Sequence, residues 1–283
     1  MMSAEAGQTA KVPTKTNVNG PRVILHAGFA KTGTTTLQMF MVNNRVALEP
    51  HVRFYSQKRY VQAADACRRT YKRPRNPYYR LRFAISMLRF LFSVDAKDPR
   101  AIVISYEGFA AQMPGVPGFT AFSQAPQLAQ TLVCLAKIRF GWHADITLVY
   151  TTRAREPWLR SAYFLVLRHR PLTDDFKTFA ANLPDAPGFD HQVERVRQAV
   201  APIPVVSERL ENLSKARFGP AQIILDLLEV PAPVLDRLNP AKALNRSVSP
   251  ALLERMRHWN ATIPPGQHLR DMKRKLINRD RKK

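Results

Sequence analysis

Short apolar runs alternate along this chain with segments whose apolar residues recur at helical spacing. The runs predict five strands, at residues 23–27, 52–55, 101–105, 146–151 and 203–206. The helical spacing predicts helices at residues 34–44, 79–92, 124–139, 157–167, 176–183, 191–200, 220–228 and 250–259. Strands that alternate with helices in this way favour an α/β fold of three layers, in which helices flank a mostly parallel sheet.

The chain divides into three parts. Residues 1–20 are polar and lack the apolar stretch of a secretory signal, so we expect a disordered leader there. Residues 21–265 carry the predicted strands and helices and are expected to form a single domain. Residues 266–283 are strongly basic and are expected to form a C-terminal tail.

The pattern contains neither a membrane span nor a disulfide framework. No apolar run approaches the roughly 18 residues that cross a bilayer. Cys67 and Cys134 lie far apart and form no CxxC pair, which also argues against a cysteine-based zinc site. We therefore expect a protein of the reducing cytoplasm, with Cys134 as a core residue.

The net charge of +23 adds an expectation about ligands. Residues 53–82 hold ten basic residues and one acidic residue, and residues 270–283 hold eight basic and two acidic residues. Such clusters favour polyanionic ligands or an anionic membrane surface. Nucleic acid would satisfy the charge equally well, so charge alone does not identify the ligand.

A turn rich in glycine and threonine, HAGFAKTGTTTLQ at residues 26–38, joins the first predicted strand to the first predicted helix. Such a turn directs several backbone N–H groups at one anion, at the positive end of the helix dipole. Gly28 and Gly33 have the spacing of the glycines in a Walker A motif, but Lys31 lies inside the loop and the Lys-Ser/Thr pair is missing. The turn therefore predicts an anion site that lacks the magnesium-binding pair.

This turn resembles the 5′-phosphosulfate loop of sulfotransferases that use 3′-phosphoadenosine 5′-phosphosulfate (PAPS), in particular the bacterial carbohydrate-type branch. The resemblance implies the P-loop-NTPase-like sulfotransferase fold, PAPS as co-substrate, adenosine 3′,5′-bisphosphate as product and no metal ion. It also implies that the lysine contacts the group being transferred. The implied loop residues are Lys31, Thr32, Gly33, Thr34, Thr35 and Thr36.

A second candidate anion site follows the fourth predicted strand. The planar guanidinium of Arg153, with its fixed arrangement of N–H donors, and the hydroxyl of Ser161 suit a phosphate. An Arg and a Ser eight positions apart, followed two residues later by Tyr163, are also similar to the 3′-phosphate site of the family. The resemblance implies that Arg153 and Ser161 bind the phosphate that distinguishes PAPS from ATP. A weaker similarity, to an Asn-x-Ser segment before the last helix, adds Asn245 and Ser247 as nucleotide-binding candidates.

Two residues are candidates for the base that accepts the proton of the acceptor. Glu107 follows the third predicted strand, and ligands of open parallel sheets bind beyond the carboxyl ends of the strands. The segment from Ser105 to Glu107 also resembles the Ser-x-Glu stretch of carbohydrate sulfotransferases, in which the glutamate is the presumed base. His26 immediately precedes the loop and is the second candidate. The sequence leaves the choice open.

The resemblance implies an enzyme that moves a sulfuryl group from PAPS to a hydroxyl of a carbohydrate or glycolipid, which the basic segments suggest is itself anionic. Two alternatives stay open. The first is a P-loop kinase that uses ATP and magnesium, in which residues 102–107 would be a degenerate Walker B strand. A non-enzymatic nucleic-acid-binding protein would explain the charge, although the chain shows no RRM, KH, zinc-finger or helix-turn-helix fingerprint, and we expect no specific nucleic acid.

Overall fold

The computed structural model describes residues 21–241 and 248–280. At its centre lies a five-stranded sheet in the order β2-β3-β1-β4-β5, and every neighbouring pair in it is parallel. The strands are β1 (Arg22–His26), β2 (Val52–Ser56), β3 (Ala101–Ser105), β4 (Asp145–Thr152) and β5 (Val205–Arg209). Because β1 is the central strand, the turn that follows it lies between the ends of β3 and β4.

Helices connect the strands and continue after the last one. In the first half of the chain they are α1 (Thr34–Asn43), α2 (Arg45–Leu48), α3 (Val61–Lys72), α4 (Pro77–Phe92) and α5 (Ala125–Phe140). In the second half they are α6 (Arg155–His169), α7 (Phe176–Ala181), α8 (Phe189–Val200), α9 (Leu210–Leu213), α10 (Gln222–Leu228), α11 (Ala232–Leu235), α12 (Pro250–Thr262) and α13 (Gln267–Asp280). Within these described ranges, no helix combines the length and the apolar content that crossing a bilayer requires.

Each face of the sheet packs against a separate hydrophobic core. Alternate residues of β1 point to opposite faces, so Val23 and Leu25 lie in one core and Ile24 lies in the other. The first core contains residues of α3, α4, α5, α6 and α8, and the second contains residues of α1 and α10. The predicted three-layer α/β fold with a parallel sheet is thereby confirmed.

The last strand is displaced from its predicted position at residues 203–206. Pro204 has no amide hydrogen to donate, although its carbonyl accepts a hydrogen bond from the Leu148 amide at 3.0 Å. Regular pairing therefore begins only at Val205, and β5 continues to Arg209. The polar end of β5 is typical of an edge strand, which has a neighbouring strand on one side only.

Helix α3 is absent from the helices that the sequence patterns predict. The residues on its buried side are mostly small or polar, and they include Ala63, Ala66, Cys67 and Thr70. Such residues do not form a recognisable apolar stripe, and the helix is held mainly by its packing against α4. Cys134, expected in the core, is instead exposed on α5.

Most of the segment expected to be a basic tail forms helix α13. Its buried residues are Leu269, Lys273 and Ile277, which recur every fourth position and pack toward α6 and α12. The middle one is a lysine whose Nζ donates a 2.8 Å hydrogen bond to the Leu167 carbonyl, near the end of α6. Because a lysine interrupts the apolar stripe, the pattern in the sequence resembles a charged, solvated segment.

We expect Ile277→Ala to lower the free energy of unfolding by about 2 kcal/mol or more, since removing buried methyl groups leaves a cavity. The matched control is Ile138→Ala, the same change on α5 at a side chain that is 50% exposed, against 2% for Ile277. For the control we expect a change within about 0.5 kcal/mol. Urea unfolding measures both variants, and equal effects would contradict the packing of α13.

Candidate functional site

Three segments meet at the carboxyl edge of the sheet. The loop containing Lys31 follows β1, Glu107 follows β3 and Arg153 follows β4, and these three strands are neighbours. The carboxyl ends of adjacent parallel strands lie side by side, which is where ligands of such sheets bind. The strand order therefore brings to one edge the three segments that the sequence analysis placed after separate predicted strands.

Side chains hold three consecutive carbonyl groups of the loop. The bonds run from Thr32 Oγ1 to Phe29 at 2.6 Å, from Trp158 Nε1 to Ala30 at 2.9 Å, and from Arg153 Nη1 to Lys31 at 3.2 Å. A peptide unit carries its C=O and N–H on opposite sides. Holding these carbonyls therefore fixes the direction of the amides that follow them around the space that the loop encloses.

The start of α1 is open toward this space. Its N-cap residue, Gly33, has φ 99° and provides no side-chain cap. The amides of Thr34, Thr35 and Thr36 have no carbonyl within the helix to bond to, because the first intrahelical bond, from Leu37, comes one turn later. Thr35 is exposed and Thr36 is half-buried.

Two buried polar atoms also point to the same place. A Cβ added to Gly28 would lie 2.1 Å from Thr34 Oγ1 and 2.9 Å from His26 Nε2, so both atoms border the position next to Gly28. Within the part of the chain that the structure describes, neither atom has a hydrogen-bond partner. Leaving a buried polar atom unpaired costs about 1–3 kcal/mol. An anion held in the loop would supply the missing partners.

His26 is held rigidly beneath the loop. Its Nδ1 lies 2.7 Å from Ser105 Oγ, which also accepts a 3.1 Å hydrogen bond from Gln38 Nε2. Tyr60 donates its hydroxyl hydrogen to the Ser105 carbonyl at 2.9 Å. Burial lowers the pKa of His26 to about 4, so the imidazole is neutral at physiological pH. A neutral ring whose Nδ1 accepts from Ser105 has a hydrogen on Nε2 to donate to a ligand.

Lys31 and Glu107 lie close enough to influence each other electrostatically. Lys31 has a left-handed backbone with φ 70°, a conformation that costs a residue with a Cβ about 1–2 kcal/mol. Glu107 begins a 3₁₀ turn, Glu107–Ala110, and its side chain is exposed. Loss of surrounding water raises the pKa of the Glu107 carboxyl, and the positive charge of Lys31 opposes this shift.

Arg153 lies between the loop and Glu211. Besides its bond to the Lys31 carbonyl, its Nε lies 3.9 Å from Glu211 Oε1. The Glu211 carboxylate also accepts from the Ala154 amide at 3.2 Å, at the start of α6. Desolvation lowers the pKa of Arg153, and Glu211 opposes this change. Ser161 is half-buried further along α6.

The remaining site candidates are placed as follows. Thr32 is fully buried, and its hydroxyl also lies 2.7 Å from Thr151 Oγ1, so only its amide is available to a ligand. The Tyr163 hydroxyl donates to the Asp174 carbonyl at 2.8 Å and therefore has a packing role. Asn245 and Ser247 lie outside the described residues.

Over residues 21–241 and 248–280, no group of three or more His, Cys, Asp or Glu side chains is arranged to hold a metal ion.

Sequence reasoning missed Trp158 at this site. Trp158 fixes the loop through its indole N–H, and its position early in the helix after Arg153 was the available signal. His169 ends α6 and is exposed. Partial desolvation lowers the pKa of His169, and nearby cations, first Arg168 and then Lys273 and Lys31, act in the same direction.

Comparisons with protein families and with curated proteins give no match for this chain. Among solved structures, a chain from a study of the PezAT chromosomal toxin–antitoxin system of Streptococcus pneumoniae is 12% identical with a TM-score of 0.30. The match covers 79% of this chain and 86% of that one. A likeness at this level supports no conclusion about function.

The burial of His26 predicts a specific pH dependence of stability. The unfolded chain binds a proton at this residue below about pH 6.5, whereas the folded chain binds it only near pH 4, so stability is lost as the pH falls through this window. From about pH 7 to about pH 5, wild type should lose roughly 2 kcal/mol relative to His26→Asn.

Urea unfolding across this pH range measures the difference between the two proteins. His143→Asn, a change at an exposed histidine, is the matched control and should follow wild type. Parallel pH profiles for wild type and His26→Asn would show that His26 is not buried in its neutral form.

Proposed function

We propose that this chain transfers a sulfuryl group from PAPS to a hydroxyl group of a carbohydrate or glycolipid acceptor. The observation that carries the proposal is the meeting of three segments that resemble sulfotransferase motifs at one edge of the sheet. A hydrogen bond links Arg153 to Lys31, and the charge of Lys31 acts on Glu107. Segments far apart in sequence thus combine an anion loop, a phosphate-type arginine and a carboxylate.

The loop suits the 5′-phosphosulfate. The open start of α1 offers amides, Thr34 Oγ1 is unpaired, and the Nε2 of His26 borders the same space. In the transfer, the acceptor oxygen attacks sulfur while the bond from sulfur to the bridging oxygen of the 5′-phosphate breaks. Negative charge then develops on the leaving phosphate, where Lys31 and the amides stabilise it.

Arg153 suits the 3′-phosphate. A guanidinium has five N–H donors, so the bond to the Lys31 carbonyl uses one of them and leaves others for phosphate oxygens. The desolvated position of Arg153 strengthens such a charge-assisted bond. Ser161 on α6 would add a hydroxyl donor.

Glu107 is the better candidate for the base. Glu107 as a residue is accessible to solvent, while partial loss of water around its carboxyl raises the pKa and the positive charge of Lys31 acts on it. An acceptor hydroxyl could therefore meet a partly desolvated carboxylate near the charge of Lys31. His26 is fully buried beneath the loop and has a pKa of about 4. We therefore assign His26 to holding the donor and Glu107 to accepting the proton.

Donor specificity provides the first test of this function. Arg153→Ala should weaken the binding of adenosine 3′,5′-bisphosphate by roughly 1.5–3 kcal/mol, because a charge-assisted contact is lost. Adenosine 5′-phosphate lacks the 3′-phosphate and should be affected far less. Calorimetry without magnesium measures both nucleotides.

Arg160→Ala is the matched control for this test. Arg160 lies exposed on α6 and pairs with Glu156 at 2.8 Å, so its loss should leave both affinities unchanged. If Arg153→Ala lowers the affinity for both nucleotides equally, Arg153 only shapes the loop through the Lys31 carbonyl. Absence of adenosine 3′,5′-bisphosphate binding by wild type would overturn the proposed donor.

Turnover tests the assignment of the base. Glu107→Gln keeps the size of the side chain and removes proton acceptance, so it should reduce turnover by roughly 10²–10⁴-fold while sparing PAPS affinity. The acceptor for this assay comes from a transfer screen with radiolabelled PAPS over carbohydrate and lipid extracts. Donor affinity is measured separately by calorimetry.

Glu194→Gln, the same change at an exposed carboxylate on α8, serves as control and should keep normal turnover. The opposite assignment gives a distinct pattern, in which Glu107→Gln keeps near-normal turnover and His26→Ala abolishes it without affecting PAPS binding. Thermal melting of each variant separates a catalytic loss from a folding defect.

A further inference from the structure

Helix α4 carries an exposed apolar stripe that no described part of the chain covers. Its large side chains are between 49% and 61% exposed and fall within about one third of the helix circumference. Two arginines alternate with them on the same face. We call this surface the α4 stripe, and its residues are Tyr78, Leu81, Arg82, Ile85, Arg89 and Phe92.

The opposite face of α4 fixes the helix firmly to the domain. Phe83, Met87 and Leu91 are almost completely buried there. The Phe83 ring lies 6.3 Å from that of Phe109, which belongs to the 3₁₀ turn that begins with Glu107. The α4 stripe is thus a rigid outer surface one layer away from the candidate site.

The charged residues of α4 are all positive, because the helix contains arginines but no acidic residue. The connection before it forms an open cavity of about 620 Å³ lined by Arg73, Pro74, Arg75, Asn76 and Pro77. At the other end, the Arg139 guanidinium lies 5.3 Å from the centre of the Phe92 ring, and Trp142, which is 73% exposed, follows three residues later.

We propose that the α4 stripe docks this protein on the surface of an anionic lipid bilayer. Apolar side chains that alternate with arginines match the boundary between acyl chains and negatively charged headgroups. Tyrosine and tryptophan at the two ends suit the same boundary, where aromatic side chains with a polar group are enriched. The basic cavity before α4 fits an anionic headgroup.

Other occupants fit this surface less well. A second copy packed about a twofold axis would bring two α4 stripes together, so that Arg82 and Arg89 of one copy lie near the same pair of arginines in the other, and like charges in contact are unfavourable. A nucleic-acid backbone would use the arginines but leave Leu81 and Ile85 without an apolar partner. Only a surface that is both anionic and apolar makes favourable contacts with both the arginines and the apolar residues of the stripe.

Vesicle co-sedimentation of the full chain tests the proposal without donor or acceptor, so its result is independent of the proposed function. Wild type should bind vesicles of phosphatidylcholine with phosphatidylglycerol and should bind pure phosphatidylcholine at least about tenfold more weakly. Replacing Leu81 and Ile85 together by Gln should weaken binding to the anionic vesicles by about tenfold or more. Replacing Arg82 and Arg89 together by Gln should weaken it similarly and remove most of its salt dependence.

The matched control replaces Val42 and Val46 by Gln, since both are exposed aliphatic residues outside α4. It should bind like wild type. Equal binding to both vesicle types, or unchanged binding by the Leu81/Ile85 variant, would overturn the proposal. Wild type that sediments as a dimer, and becomes monomeric in the Leu81/Ile85 variant without a change in vesicle binding, would assign the stripe to a second copy instead.

Discussion

The shape of the loop after β1 depends on side chains that hold its carbonyl groups from outside. Arg153, which bonds the Lys31 carbonyl, lies in the short connection between β4 and α6, and Trp158, which bonds the Ala30 carbonyl, lies in the first turn of α6. Helix α6 is in turn fixed near its far end, where Lys273 donates to the Leu167 carbonyl at 2.8 Å and Asn260 donates to that of Leu172 at 2.7 Å. The loop after β1 therefore relies on α6, which helices from the last part of the chain hold in place.

This arrangement places unfavourable energy terms at the candidate site. The left-handed backbone of Lys31 and the unpaired atoms of His26 and Thr34 each cost on the order of 1–3 kcal/mol. Such costs persist only where the surrounding structure enforces them, and they concentrate at functional sites. A bound anion would remove the hydrogen-bond deficits but not the backbone cost. Part of the binding free energy would thus come from polar groups that folding leaves unpaired.

The sequence predicted the parts of this protein that short-range patterns determine. The strands that carry the site have continuous apolar runs, and the turn from Gly28 to Gly33 has glycines where the backbone requires them. The missed parts depend on distant contacts. Helix α3 is buried through small residues, α13 has Lys273 in its apolar stripe, and Trp158 contacts the loop only in the folded chain. No local pattern distinguishes such residues from surface ones.

The same distinction applies to the positive charge, which serves more than one purpose. Some arginines are structural and bond backbone carbonyls, as Arg139 does with Leu91 at 3.0 Å and Arg155 with Ala186 at 3.0 Å. Others, such as Arg82 and Arg89, are exposed on a helix without acidic residues. A count of charges adds these groups together and cannot identify a ligand. Sorted by their contacts, some arginines hold loops and helix ends and others face outward, while Arg153 holds the loop and is also proposed to bind phosphate. Only the arginines that face outward bear on what the outer surface of the protein binds.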